Sequence, residues 1–132
     1  MTFIESIKTC FKKYITIKGR APRSEYWWFQ AMFVPLFLFV VIMSEAENLE
    51  SSSELIIWFY LLCFVIVIIS LIPVITVTIR RFHDTNKSGW YFLLGFIPLV
   101  GSLIVTVMMI PEGTKGKNKY GPNPLIKRNK YI

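Results

Sequence analysis

The sequence predicts an all-α integral membrane protein: an amino-terminal amphipathic interfacial helix and three hydrophobic transmembrane segments, the third open to a re-entrant reading. Three observations carry this prediction. Three long apolar runs, Tyr26–Met43, Leu55–Ile79 and Trp90–Ile110, contain no Asp, Glu, Lys, Arg or His. As helices rising 1.5 Å per residue they reach roughly 27, 37 and 31 Å, against a bilayer core of roughly 30 Å. Hydrophobic residues make up 54% of the 132-residue chain and charged residues only 17%, fewer than a soluble domain of this size carries. Finally, the charges gather between the runs, where membrane surfaces would lie.

A chain this short has room for a single membrane domain, residues 1–132, and none for a soluble partner domain. Its net charge of +7 fits anchoring to anionic lipid headgroups. No nucleic-acid recognition motif accompanies that charge, so nucleic acid is not an expected partner. Two cysteines, Cys10 and Cys63, cannot form a disulfide framework. Cys63 reads as a packing residue within the second run, and Cys10 as packing or as a candidate for S-palmitoylation near the membrane surface. The first run exceeds a signal-peptide h-region and follows about 25 residues of chain, so it reads as a retained anchor despite the small-x-small pattern Ser44-Glu45-Ala46.

Residues 3–17 place Phe3, Ile4, Ile7, Cys10, Phe11, Tyr14 and Ile15 at helical spacing, with Glu5, Lys8, Lys12 and Lys13 on other faces. Such a basic amphipathic helix beside a membrane span reads as lying in the headgroup plane. Gly19 and Pro22 break it from the first span, which Tyr26, Trp27 and Trp28 open as an aromatic belt and Pro35 is expected to kink. The connection Ser44–Glu54 holds four glutamates and no Lys or Arg. Trp58 and Tyr60 form the opposite belt, and Pro73 is expected to separate a terminal turn of the second span. The second connection, Arg80–Gly89, carries Arg80, Arg81 and Lys87. Positive charge marks cytoplasmic segments, so the amino terminus is expected inside, the acidic connection outside and the arginine-rich connection inside.

The tail, residues 111–132, is basic and rich in Gly and Pro, with its last residues, Lys127–Ile132, expected to be mobile. Its charge argues for the cytoplasmic side. Three complete spans would instead place it outside. Gly95, Pro98 and Gly101 permit a break in Trp90–Ile110, leaving two pieces of about 12 and 18 Å, each near half a bilayer. The uninterrupted apolar length favours three full spans and an external tail; a re-entrant hairpin is the alternative.

Three polar motifs punctuate the runs. The first is Gly19-Arg20-Ala21-Pro22-Arg23-Ser24-Glu25-Tyr26-Trp27. The second is Arg80-Arg81-Phe82-His83-Asp84 followed by Ser88-Gly89-Trp90. The third runs from Gly113-Thr114 through Asn118-Lys119-Tyr120-Gly121-Pro122 to Pro124. In this order, and with these hydrophobic runs, the chain resembles the YhaH/YhaI-like small bacterial inner-membrane proteins, a family defined as a domain of unknown function. Lys119 stands where that family usually has Arg, and Asn123 where it has Asp. The resemblance implies a bacterial inner-membrane location and no activity.

Candidate site residues are Arg20, Arg23, Glu25, Arg80, Arg81, His83 and Asp84, joined by Asn118, Lys119 and Tyr120 if the tail lies on the same face. The leading reading is structural: Glu25 and Asp84 pair with the arginines and fix how the first two spans meet. The protein would then act as a structural or regulatory component through partner proteins, a second copy of itself, or lipids. The alternative is binding of anionic phospholipid headgroups at the arginine cluster. A third reading makes His83 and Asp84 an acid–base pair of a membrane-interface enzyme. Adjacent residues seldom orient as a dyad, however, and no nucleophile accompanies them. No metal or cofactor is expected, since one His and one neighbouring Asp do not make a zinc site.

Overall fold

The computed structural model describes residues 1–46 and 54–129. Among them it is helical, with α1 (Phe3–Lys12), α2 (Arg23–Ala31), α3 (Phe33–Ala46), α4 (Glu54–Asp84), a 3-10 helical segment (Gly89–Phe96), α5 (Gly101–Met109) and α6 (Pro124–Asn129). Two stretches are long and apolar enough to cross a membrane, Arg23–Glu45 and Ile56–Asp84, with 6% and 33% of their most apolar windows buried. Burial that low is unlike that of a soluble protein's core helix, which is mostly buried. Most of the shaft stays exposed, as at Phe37, Leu62 and Phe64. Residues 47–53 lie outside the described set, and with them most of the connection expected to be an external acidic loop.

α1 starts on a capping box: Thr2 Oγ1 accepts from Glu5 N at 3.3 Å, and Glu5 Oε2 accepts from Thr2 N at 2.9 Å. It ends at Lys12, short of the expected residue 17. The β-branched run Ile15-Thr16-Ile17 disfavours continuation, and Tyr14 docks on α4. The inward face of α1 buries Ser6 and Cys10, with Ser6 Oγ donating to Ser24 O at 3.0 Å. Phe3 and Ile4 remain exposed.

The two prolines act differently from each other. Pro35 cannot donate to the carbonyl of Ala31, and its ring crowds that carbonyl. The first span breaks there, between α2 and α3 at Met32. Pro73 was expected to break off a turn of the second span, yet α4 runs through it for 31 residues. The Ile69 carbonyl that Pro73 leaves without its helical donor accepts from Tyr14 Oη at 2.6 Å. Thr76 Oγ1 ties the same strap down by donating to Tyr14 O at 3.2 Å. Arg80–Asp84 therefore sit on the last turns of a rigid helix and not in a loop. α4 closes at Asn86 (φ 60°), where Asn86 N donates to His83 O and Lys87 N to Phe82 O, at 3.1 and 2.9 Å. This is a Schellman closure with Asn in the left-handed position.

The third apolar run is not one continuous helix. It is a hairpin: the 3-10 segment, a turn over Ile97–Val100, and α5. Gly101 permits the crossing, since a Cβ there would lie 2.2 Å from Leu94 O. The expectation of one continuous helix over this run is thus corrected, and two of the described helices are long and apolar enough to cross a membrane. Residues 113–121 return to the end of the molecule where α2 starts and α4 stops. At that end sits the apolar core, built on Cys10, Ala21, Tyr26, Phe29, Val77, Phe82, Val105 and Met109. Of the carboxyl-terminal stretch expected to be mobile, 127–129 belong to α6 and 130–132 lie outside the described residues.

Candidate functional site

The three polar motifs meet in one buried ionic network. Asp84, the last residue of α4, receives Arg20 Nε on Oδ1 at 2.9 Å and Arg81 Nη1 on Oδ2. Glu25, in the first turn of α2, receives Arg80 Nη1. These five side chains are at most 5% exposed. Charges so deeply buried persist only when paired, and the pairs here join the start of α2 to the end of α4. Backbone pairing closes the same joint, with Ala21 N donating to Arg80 O at 3.0 Å.

The donors left over on the arginines hold the rest of the chain. Arg20 donates to Gly116 O at 2.7 Å, to Gly121 O at 3.3 Å and to Thr114 O. One guanidinium thus folds the Gly-rich tail around itself. Arg81 Nη2 donates to Met109 O at 3.1 Å and to Pro111 O. Met109 ends α5, so Arg81 caps carbonyls that the helix terminus leaves unpaired, a position that also favours a cation. Arg80 Nε and Nη2 are buried without a hydrogen-bond partner.

Gly113 shows how tightly the tail fits. A Cβ there would lie 2.0 Å from Asp84 Oδ2, so only glycine lets the chain pass the carboxylate. Thr114 then bonds the Asp84 carbonyl through its N–H at 2.9 Å and its hydroxyl at 3.3 Å. Asn118 Nδ2 donates to His83 O and to Thr114 Oγ1, both at 2.9 Å. Asn123, at a position of departure from the usual family residue, instead organises the tail itself: Nδ2 donates to Lys115 O and Oδ1 accepts from Leu125 N, both at 2.9 Å.

Not every candidate joins the network. Arg23 is largely exposed and meets only Glu112, at 3.7 Å. Lys119 is exposed, its ammonium 5.1 Å from the Tyr120 ring. His83 turns away from Asp84. Its Nδ1 lies 3.2 Å from Gly19 O, so Nδ1 carries the donated proton, and its ring stacks on Tyr120 at 3.8 Å between centroids. With both Asp84 oxygens on arginines and His83 bonded elsewhere, the two do not form the acid–base pair of the third reading. No cluster of three His, Cys, Asp or Glu suited to a metal occurs among the described residues. Cys10 is fully buried beside Glu25, and burial, then the neighbouring carboxylate, pushes its thiol up to about 12. A buried thiol that stays protonated is a poor acylation target.

Sequence reading missed the roles of Gly113, Thr114 and Tyr14. The first two stand in the third motif, but nothing in one dimension says which carboxylate they adjoin. The Tyr14 contact had one available signal: a proline inside a span must free one carbonyl.

The chain matches over residues 14–122 the family described as "Protein of unknown function (DUF805)". It is 37% identical over 120 residues to the inner membrane protein YhaI of Escherichia coli strain K12, covering 89% of this chain and 93% of that protein. It is 34% identical over 116 residues to the inner membrane protein YhaH of the same strain, with 87% and 92% covered. The uncharacterized protein YiiR of that strain is 29% identical over 136 residues, with 80% and 84% covered. No solved structure matches the chain. The matched region contains the whole buried network, and the chain belongs to the DUF805 family.

Proposed function

We propose that this protein is a small multi-pass component of the bacterial inner membrane, structural or regulatory, acting through lipids or partner proteins at its apolar surface. One observation carries the reading. The charged motifs are consumed internally, each buried carboxylate on an arginine and Arg20 and Arg81 also on backbone carbonyls. A cluster so occupied fastens four segments together, and the donors it leaves over, Arg80 Nε and Nη2, are buried away from any outside headgroup. The alternative, that the buried arginines bind headgroups as their main task, would need them turned outward.

The proposed topology puts the amino terminus and the tail on the cytoplasmic side, with the hairpin re-entrant. The charge distribution supports the side, and contact between tail and network supports their sharing it. Hairpin halves of 8 and 9 residues are about 16 and 13 Å long at roughly 2.0 and 1.5 Å per residue. At the turn, the N–H groups of Ile97, Val100 and Gly101 bond backbone carbonyls and Pro98 has none to satisfy, which lowers the cost of a water-poor setting. The test is an Asn129→Cys variant lacking Cys10 and Cys63, treated in intact cells with an impermeant maleimide. Protection until lysis is expected; labelling before lysis would overturn the topology. For the fastening role, the double variant Glu25→Ala, Asp84→Ala should unfold in detergent at a much lower temperature than the parent. An unchanged midpoint would remove that role.

A further inference from the structure

A groove of about 430 Å³ runs beside the ionic network, between the end of α4 and the 3-10 segment. That volume lies within the ~300–1,000 Å³ range of ligand clefts. Its walls change character along its length. Ile75, Ile79 and His83 follow one another at four-residue steps on one face of α4, which therefore passes from hydrocarbon to imidazole. Trp90 and Leu93 form the facing wall, and Tyr120 closes the polar end. Gly89 sets the width there, since a Cβ on it would lie 2.7 Å from Ile79 Cγ2 and 3.2 Å from His83 Nε2.

Two lysines, neither of them lining the groove, adjoin lining residues at its polar end. The Lys119 ammonium stands over the Tyr120 ring, and Lys18 follows the groove residue Ile17 and is exposed. No acidic side chain is among the described residues lining the groove. Asp84, one residue beyond His83, has both oxygens held by Arg20 and Arg81. An apolar trough with exposed lysines beside its polar end, on a chain with bilayer-length apolar helices, complements one amphiphile: a phospholipid with its acyl chain along Ile75 and Leu93 and its headgroup reaching toward Lys119.

We propose that this groove is a specific binding site for one anionic phospholipid of the surrounding bilayer. The site rests on the membrane-component reading above and relocates lipid recognition from the buried arginines to the groove beside them.

The test uses the full chain in vesicles of three parts phosphatidylcholine to one part phosphatidylglycerol, with a diazirine on the phosphatidylglycerol acyl chain. Adducts on illumination should concentrate in peptides spanning residues 75–93, and labelling spread evenly along α3 and α4 would overturn the site. Native mass spectrometry of the detergent-extracted protein provides the second measurement. The parent should retain one phosphatidylglycerol, and Leu93→Trp, which fills the trough from its exposed side, should reduce retention roughly tenfold. Lys119→Gln, at an exposed position, should leave the fold and total lipid unchanged while abolishing the preference for phosphatidylglycerol over phosphatidylcholine. Equal retention of the two lipids by the parent, or retention untouched in both variants, would refute the proposal. Flotation of the protein with the vesicles reports membrane insertion separately, so failure of the site and failure of the membrane reading give different results.

Discussion

The motif end and the shafts of this protein solve opposite problems. At the motif end, five charged side chains are packed out of reach of solvent around a small apolar core. Along the shafts of α3 and α4, large apolar side chains such as Phe37 and Phe64 face outward. In water this would be an inverted protein. In a bilayer the shafts need no core, since lipid is as apolar as their side chains, and association there falls to packing and hydrogen bonds. Specific assembly must then come from groups that lipid cannot imitate, and the motif end concentrates them. Stability should accordingly be very uneven along the molecule.

Asp84→Ala is the hardest blow to that contrast. It strands Arg20 and Arg81 as buried unpaired cations, a change that costs about 3–5 kcal/mol. A large fall in the thermal unfolding midpoint in detergent, with faster proteolysis of residues 113–121, is the expected result. A midpoint within error of the parent would show that the network contributes nothing.

Gly113→Val ranks next. Its side chain must displace the tail from the Asp84 carboxylate, and overpacking of this kind costs about 1–3 kcal/mol. Thermal melts should show the loss, together with hydrogen exchange at the Thr114 amide, which is bonded to Asp84 O. Exchange at Thr114 as slow as in the parent would argue against the close approach.

Tyr14→Phe isolates one hydrogen bond on the shaft side of the boundary. Loss of the donor to Ile69 O should cost about 1 kcal/mol, visible as a small shift in the melt and as local exchange near Pro73. A change as large as that of Asp84→Ala would mean that the comparison has been drawn in the wrong place.

The smallest effects belong to the exposed positions. Arg23→Ala, which breaks only the solvent-exposed pair with Glu112, should change stability by about 0–1 kcal/mol. Cys10 gives a matching chemical readout. With its thiol pushed up to about 12, it should resist maleimide at pH 7–8 in the folded protein and react freely once denatured. Rapid labelling of the native state would contradict the burial of the motif end.

Several features were legible in one dimension because they depend on composition and local stereochemistry. The apolar runs, a distortion of the first span near Pro35 and the opposite-sign residues Glu25, Asp84 and the arginines could all be read directly. Others were misread for a physical reason. Pro73 looks like a terminator because a proline deletes a helical hydrogen bond, and only a distant tyrosine shows that the loss is compensated. Trp90–Ile110 looks like a span because its length fits; Gly95, Pro98 and Gly101 left a hairpin open, and the close approach of Gly101 to Leu94 O is what decides for it.

By itself, the sequence determined that the chain belongs with a membrane, where its apolar runs lie, and which carboxylates would seek arginines. Tertiary structure alone decided the pairing: Arg20 with Asp84 and the tail carbonyls, Arg80 with Glu25, Arg81 with Asp84 and the end of α5, and His83 with Tyr120 instead of its neighbour. Periodicity and hydropathy describe how each segment meets its solvent. Which carboxylate a guanidinium reaches depends on distances between segments up to 101 residues apart, and those exist only once the chain has closed on itself.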